Sequence, residues 1–190
     1  MPDPVRPDLA DFDRFDPTTG LHRYGAVAAA FEAHYAELYS FLRRSTRDER
    51  AAEDLLQEAF LRLTKEVDAG RTPEHVRGWL YRVASNLAIS RGRRTTTAFS
   101  WMNTHGRHSL NDVTDSPETG VLARERRSTL DAVLATLPAE ARTALLLSAD
   151  GFSGEEIAAA IGRSHGATRT MLSRARVRVR LALEQRGEIA

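Results

Sequence analysis

The sequence predicts an all-α protein of two small helical domains joined by a flexible linker. Aromatic residues make up only 7% of the chain, whereas β-sheets are usually enriched in aromatic side chains. Alanine and leucine, which are good helix formers, recur in long stretches. Apolar residues recur at helical spacing in two regions, and a polar segment lies between them. The 190 residues are enough for two small domains of this kind.

The N-terminal residues 1–23 are predicted to form a disordered acidic tail. The first 20 residues contain five Asp, two Arg and four Pro, without a sustained helical period. They lack the basic and apolar regions of a signal peptide, and the chain has no run of about 18 apolar residues that would cross a bilayer. We therefore expect a cytoplasmic protein without membrane insertion.

Three amphipathic helices are predicted in the first domain, residues 24–92. The second of them runs roughly from Ala51 to Val67. Pro73 suits the first turn of the third helix, which is expected to end at about Arg91. From the helical spacing, the core-facing residues are predicted to be Phe31, Tyr35, Leu38 and Leu42 in the first helix, Leu55, Leu56, Ala59, Phe60 and Leu63 in the second, and Leu80, Val83, Ala84 and Leu87 in the third.

Residues 93–119 are predicted to be a flexible linker. The segment is rich in Thr, Ser, Asn, His and Gly, and it contains Pro117. Because it also lacks apolar periodicity, nothing in it predicts a packed element. Trp101 and Met102 are the exceptions, and either local packing or contact with a partner would explain them.

The second domain, residues 120–187, is predicted to contain four helices. Pro138 ends the first of them, and the second follows directly and runs to about Ala149. Ser153 and Glu156 have the spacing of a capping box, in which each side chain hydrogen-bonds the backbone N–H of the other residue. The third helix is therefore predicted to start at this point.

The last two helices of this domain are predicted to form a helix-turn-helix. A short helix is followed by a glycine-containing turn at 162–164 and by a longer basic helix from about His165 to Gln185. In this motif the second helix enters the major groove of DNA. At about 100° per residue, one side of the last helix is apolar and would pack on the preceding helices. The opposite side carries Arg169, Thr170, Ser173 and Arg174.

The residue types on this opposite side are those that read base pairs. Arginine offers a bidentate fork to guanine, and the hydroxyls of Ser and Thr donate or accept hydrogen bonds. Arg176 lies deeper in the helix and toward its side, so it is predicted to contact phosphate rather than bases. A solvated arginine-rich helix in an ordinary bundle is the alternative interpretation.

A polar stripe also runs along the third helix of the first domain. An aromatic ring stacks on exposed bases and arginine holds phosphates, so this stripe suits an unpaired DNA strand. A tryptophan on a helix is more often part of the core, and an asparagine there can simply cap or bridge. The stripe consists of Trp79, Arg82, Asn86 and Arg93.

The distribution of charge agrees with two surfaces that face phosphate. The net charge is only +1, but residues 71–94 contain six Arg and one Glu, and residues 163–180 contain six Arg and no acid. The chain has no Cys, which excludes disulfides and thiolate zinc sites. Its six His lack the spacing of metal ligands, and no glycine-rich phosphate loop or nucleophile elbow is present. We therefore expect no catalytic residues, metal or cofactor.

Five segments, in this order and spacing, resemble the extracytoplasmic-function sigma factors, which form group 4 of the RNA polymerase sigma factors. The resemblance covers roughly residues 24–187. Ser90 departs from it, because the family usually has Asp at that place. The segments are DLLQEAF at 54–60, WLYRVASN at 79–86, LPAE at 137–140, and EEIA at 155–158 followed by RAR at 174–176.

The resemblance implies a role for each part of the chain. Residues 24–92 would be sigma domain 2 and residues 120–187 sigma domain 4, and together they would bind core RNA polymerase at the β′ clamp helices and the β flap. Many relatives are held inactive by an anti-sigma factor, which is therefore a possible further partner. The implied polymerase-binding residues are Asp54, Gln57, Glu58 and Leu61. Trp79, Arg82, Asn86 and Arg93, with the loop 68–75, would recognise and melt the minus 10 element, and Arg169, Thr170, Ser173, Arg174 and Arg176 would bind the minus 35 element.

Two other functions compete with this interpretation. A helix-turn-helix regulator could bind duplex operators as a dimer, with residues 24–92 serving as an effector or dimerisation domain. The polar stripe on the third helix counts against it, because a duplex reader has no use for a strand-binding surface. An enzyme is disfavoured by the lack of any catalytic motif.

Overall fold

The structure, a computed structural model, describes residues 17–102 and 129–186, and both parts are helical. No strand occurs in these two ranges, which confirms the all-α prediction. The first range contains α1 (Pro17–Thr46), α2 (Glu49–Asp68) and α3 (Val76–Met102). The second contains α4 (residues 129–135), α5 (Ala139–Ala149), α6 (Gly154–Ile161) and α7 (His165–Glu184).

Polar side chains start three of these helices. The Asp48 carboxylate accepts a hydrogen bond from the Ala51 backbone N–H at the start of α2, and the Ser164 hydroxyl accepts one from Ala167 at the start of α7. Ser153 and Glu156 form the predicted capping box at the start of α6. Each cap satisfies backbone donors that a helix leaves without an internal partner.

Two predicted boundaries were wrong. The first helix begins at Pro17, inside the predicted tail 1–23, and α3 continues to Met102, into the predicted linker 93–119. Pro17 is compatible with the first helical position because proline needs no partner for its nitrogen there. Residues 93–102 contain polar residues but neither Gly nor Pro, so an established helix extends through them at little cost. The rest of the predicted tail and linker, residues 1–16 and 103–128, lies outside the described residues.

In the first unit, α1, α2 and α3 pack around a common core. Leu38, Phe41 and Leu42 of α1 are fully buried, and the ring of Phe41 lies 5.1 Å from that of Tyr81 on α3. The predicted core residues of α2 and α3 are buried or half-buried. Phe31 and Tyr35 were predicted to be buried, but they are 44% and 41% exposed, because this part of α1 is covered on one side only.

In the second unit, α5 and α6 pack against the buried side of α7. Leu147 of α5 and Ile157 of α6 are almost fully buried. On α7, the predicted apolar side is confirmed, since Thr168, Leu172 and Ala175 are buried. This packing determines which side of α7 faces outward.

The described parts of the two units share one continuous hydrophobic core. The ring of Phe152, which precedes α6, lies 4.9 Å from the ring of Tyr81 on α3. Arg142 of α5 is buried and donates a hydrogen bond to the carbonyl oxygen of Ser45 near the end of α1. The sequence predicted two units joined through a linker and did not predict this direct contact.

Candidate nucleic-acid interface

The outer side of α7 presents the four predicted base-reading residues together. We call this set the α7 face; it consists of Arg169, Thr170, Ser173 and Arg174, and all four are exposed. The Thr170 hydroxyl donates a hydrogen bond to the Gly166 carbonyl oxygen at 3.1 Å, so it lies close to the helix backbone. The two guanidinium groups are therefore the long, positively charged parts of the face.

The turn between α6 and α7 sets the angle of this face. Gly162 ends α6 with φ of 68°, a left-handed conformation that glycine adopts without strain. Two residues later Ser164 caps α7. Arg176, two residues beyond the α7 face, donates a hydrogen bond to the Ser148 hydroxyl of α5 at 2.9 Å. Its guanidinium is thus held at the side of the helix, next to α5.

The polar stripe of α3 is only partly available. We call it the α3 face; it consists of Trp79, Arg82, Asn86 and Arg93. Arg82 and Asn86 are exposed, whereas the Trp79 side chain is half-buried against the core. Arg93 forms an ion pair with Glu140 of α5 at 2.5 Å. The Trp79 ring therefore contacts the core and also borders an open cavity.

This cavity lies between the α3 face and the second unit. It has a volume of about 360 Å³. Trp79, Arg82 and His75 line it from the first unit, and Phe152 and Glu156 line it from the second. The Glu156 carboxylate accepts a hydrogen bond from the Ser153 backbone, and this bond holds the pKa of Glu156 below its usual value. A negative charge from α6 is therefore present beside the α3 face.

The predicted polymerase-binding residues lie along the exposed side of α2. Asp54, Gln57 and Leu61 are exposed, and Glu58 is half-buried and pairs with Arg62 at 2.7 Å. Leu61 is 49% exposed. A single exposed leucine is ordinary on a protein surface, so its neighbours decide whether it belongs to a larger apolar patch.

Two aromatic residues that the sequence placed in the core extend this surface. Phe31 and Tyr35 of α1 line a groove of about 350 Å³ together with Gln57 and Leu61. The Phe31 ring lies 5.0 Å from the ring of Phe60 on α2. Helical spacing predicted that these aromatics face the core, but it could not predict that the groove stays open.

Glu140 belongs to the LPAE motif, but the sequence indicated no contact for it. In the structure it joins α5 to α3 and to the turn before α7. Its two carboxylate oxygens accept hydrogen bonds from Arg93 of α3 and from Arg163, which lies in the turn before α7. Burial alone would raise the pKa of Glu140, but the two guanidinium groups outweigh it and the pKa is lowered. The carboxylate therefore stays ionised at neutral pH.

Arg142 is the second residue that the sequence interpretation missed. Its guanidinium donates to the carbonyl oxygens of Ser45 at 2.9 Å and Leu137 at 3.3 Å. Burial and the nearby charge of Arg47 lower the pKa of Arg142 to about 10. Its place in the apolar run ARTALLL was the one available signal of burial.

Within 17–102 and 129–186, no group of His, Cys, Asp or Glu side chains is arranged to hold a metal ion. None of the helices in these ranges is long and apolar enough to span a membrane.

Comparison with known families matches both units. The model of sigma-70 region 2 matches residues 30–97, and that of sigma-70 region 4 matches residues 127–179. The RNA polymerase sigma-H factor of Pseudomonas aeruginosa is 34% identical over 150 residues, which are 74% of this chain and 77% of the relative. The ECF RNA polymerase sigma-E factor of Escherichia coli K12 is 33% identical over 132 residues, 65% of this chain and 69% of the relative.

Two solved structures have the same fold. The sigma factor RpoE of Bartonella quintana, in complex with the anti-sigma factor NepR, superposes with a TM-score of 0.63 at 23% identity, over 81% of this chain and 94% of that one. CnrH, in complex with the cytosolic domain of CnrY, gives 0.59 at 22% identity, over 88% and 95%. With both sigma regions matched and a relative at this identity, the chain belongs to the extracytoplasmic-function type of RNA polymerase sigma factors, which bind core polymerase and direct it to promoters.

Proposed function

We propose that promoter recognition is divided between the two faces, with the α7 face binding the minus 35 element and the α3 face binding the minus 10 element. The observation that carries this proposal is the joint exposure of Arg169, Thr170, Ser173 and Arg174 on a helix whose other side is buried. A rigidly packed helix with one exposed basic side is what major-groove reading requires.

Binding to the minus 35 element follows from the chemistry of the α7 face. Arg169 and Arg174 reach furthest from the helix and are suited to guanine edges. Arg176, held by Ser148, contacts a phosphate and fixes the position of the helix on the duplex. The two hydroxyls accommodate several bases, so the arginines account for most of the discrimination.

Binding to the minus 10 element depends on the α3 face and the loop before α3. Trp79 stacks on an unpaired base, and Arg82 and Asn86 hold the strand beside it. The loop 68–75 is fixed at its start, where Arg71 forms a two-pronged contact with Glu66 at 2.9 and 3.0 Å. A fixed loop beside the tryptophan favours capture of a strand that has already opened.

Core polymerase binds through two surfaces in this proposal. Asp54, Gln57, Glu58 and Leu61 face the β′ clamp helices, and the exposed Leu61 supplies the apolar anchor. The second unit contacts the β flap. The solved structures of RpoE and CnrH are complexes with NepR and CnrY. By analogy we include an anti-sigma factor among the partners of this chain.

We further propose that the chain is a group 4 sigma factor. Only residues 98–126 separate the two matched regions, which leaves no room for the additional domain of larger sigma factors. The protein acts in the cytoplasm, where promoters and polymerase are found. It is not an enzyme, and its contribution is binding without a catalytic group, a metal or a cofactor.

Transcription by core polymerase with and without the purified protein tests the proposal. We expect new transcripts whose start points share two upstream elements, and mapping their 5′ ends identifies both. If the protein instead binds a duplex operator alone and yields no promoter-dependent transcript, it is a helix-turn-helix regulator. The variant Arg174→Ala, compared with Arg186→Ala just beyond the end of α7, links the transcripts to the α7 face.

A further inference from the structure

We propose that Glu140 and Ser148 of α5 are positioning residues for the reading of the minus 35 element. Each binds an arginine, one in the turn before α7 and one within α7. Together they set the angle at which the α7 face meets the major groove. This inference rests on the proposed binding of the minus 35 element by the α7 face. Each residue acts through the arginine that it holds and not by touching DNA.

The first contact lies at the start of α5. The Glu140 carboxylate accepts a hydrogen bond at 2.6 Å from the guanidinium of Arg163, in the turn that leads into α7. The Glu140 side chain is only 16% exposed, so water does not easily replace the guanidinium. The backbone N–H of Arg163 donates to the Ala158 carbonyl oxygen of α6 at 3.0 Å. The turn before α7 is therefore bound to α5 through a side chain and to α6 through the backbone.

The second contact lies in the last turn of α5. Arg176 of α7 donates a hydrogen bond to the Ser148 hydroxyl at 2.9 Å, and Ser148 is half-buried. A guanidinium has five N–H donors, so this bond leaves others for a phosphate. Phosphate contacts fix the orientation of a protein on the duplex. Because Ser148 restricts the Arg176 guanidinium, it also restricts how α7 meets the DNA backbone.

Two contacts at opposite ends of α5 constrain α7 more than a single contact could. The 11 residues of α5 span about 16 Å at the usual rise of an α-helix. A helix held at one point can pivot about it, whereas a helix held at two separated points cannot. The buried contacts of Leu172 and Ala175 between these points are apolar and not directional. Hydrogen bonds depend on distance and angle, so the two polar contacts define the orientation of α7.

Orientation matters most for the two arginines that are suited to base edges. A bidentate contact of Arg169 or Arg174 with guanine requires two N–H groups to be aligned with the base at the same time. Attraction to phosphates depends on charge and tolerates a small rotation of the helix. A tilted α7 would therefore keep much of its affinity for DNA and lose discrimination between minus 35 sequences. The ratio of the Kd for a substituted element to the Kd for the intact element reports this discrimination.

Promoter binding by holoenzyme measures this Kd ratio. The promoters are those found by transcript mapping, and they differ only at single base pairs of the minus 35 element. For Arg163→Ala and for Ser148→Ala, we expect the ratio to fall about threefold, because base contacts are misaligned. The dependence of binding on salt should stay unchanged in Ser148→Ala, since the charge of Arg176 remains.

Two matched variants serve as controls for these changes. Arg91→Ala removes another arginine that pairs with a carboxylate, that of Asp48 at 3.1 Å. Ser90→Ala removes an exposed hydroxyl from α3. Neither residue contacts α7 or its turn through a hydrogen bond or ion pair that involves Glu140 or Ser148. Both variants should therefore keep the wild-type Kd ratio.

A double-mutant cycle tests the contact between Glu140 and Arg163 itself. Glu140→Ala should lower the Kd ratio about as much as Arg163→Ala does, and the variant with both changes should lower it no further. Loss of the Glu140 charge strengthens attraction to every sequence alike, so this effect cancels in the ratio. A direct phosphate contact by Arg163 would give another result. Arg163→Ala would then weaken binding to all promoters equally and reduce the salt slope by about 1, and the role of Glu140 would be overturned.

The outcomes separate this inference from the proposed function. Wild-type holoenzyme that does not discriminate between minus 35 sequences would overturn both. If the wild type discriminates and the folded variants keep its Kd ratio, only the positioning role is overturned. Equal weakening on every sequence, together with a lower free energy of unfolding, would mean that the contacts merely stabilise the domain, and it would also overturn positioning. If Glu140→Ala does not fold, Arg163→Ala and Ser148→Ala decide the outcome, since Arg163 is 44% exposed and Ser148 is only half-buried.

Discussion

The helices α3 and α7 have similar compositions but different surroundings. Each is long, each carries several arginines, and each has one polar side that sequence periodicity identifies. The α7 face is fully exposed, whereas the α3 face has a half-buried Trp79 and an Arg93 paired with Glu140. The same pattern of residues therefore describes one surface that is ready to bind and another that is partly occupied by its own chain.

The difference shows what a basic stripe means in an isolated sequence. Arginine on a helix predicts a phosphate contact only if no carboxylate of the folded chain reaches it first. Glu140 lies 47 residues after Arg93, so helical spacing gives no indication of their contact. Readiness to bind is thus a property of the packed molecule.

The largest effect is expected from Arg142→Ala, which removes the buried link between the units. The carbonyl oxygens of Ser45 and Leu137 would lose a charged donor, and the free energy of unfolding should fall by about 3 kcal/mol. Urea unfolding measures it, with the exposed Arg50→Ala as control. Equal stability of the two variants would mean that the buried guanidinium contributes nothing to the link between the units.

A smaller effect is expected from Arg174→Ala, which tests the exposed side of the comparison. If Arg174 contacts a base, holoenzyme that carries this variant should bind a promoter with an intact minus 35 element about 2 kcal/mol more weakly than the wild type does. An electrophoretic mobility-shift assay with holoenzyme measures this loss, and Arg186→Ala is the control variant. A loss of the same size on every minus 35 sequence would make Arg174 a phosphate contact instead.

Removal of the capping box affects α6, the helix on which the α3 face and the α7 face both depend. Ser153→Ala deletes the hydroxyl that accepts from the Glu156 backbone N–H at 3.2 Å. The free energy of unfolding should decrease by about 1 kcal/mol. Thermal unfolding of this variant and of the exposed Ser90→Ala would show the contrast, and no difference between them would exclude a contribution from the cap.

The smallest effect is a pH dependence at Glu140. Its pKa lies below the usual 4.5, so the stability it contributes is fully present above that pH and is lost as the pH falls further. Because Arg93 and Arg163 are substantially exposed, the contribution should stay below about 1 kcal/mol. Unfolding of wild type and Glu140→Gln between pH 7 and pH 3 would reveal it as a gap that narrows in acid. A constant gap would assign the difference to packing.

Much of the fold was predictable because it depends on local rules. The capping box at Ser153, the end of α4 shortly before Pro138 and the buried side of α7 all follow from short-range geometry. The errors arose where a local rule was incomplete. The predicted end of α3 at about Arg91 lies eleven residues before the observed end at Met102. The Thr and Ser residues in between interrupt a helix less strongly than the prediction assumed. Phe31 and Tyr35 were placed in the core, although their partner surface leaves a groove.

The sequence by itself determined the helices, the apolar side of each, and the two polar stripes, because all of these repeat within a few residues along the chain. Only the tertiary structure decided that Arg142 is buried against Ser45, 97 residues away, and that Glu140 reaches Arg93. Periodicity identifies the side of a helix that needs a partner, but the partner is chosen by the packing of the whole chain. For this sigma factor, that packing distinguishes an α7 face whose four residues are exposed from an α3 face in which Trp79 is half-buried and Arg93 is paired with Glu140.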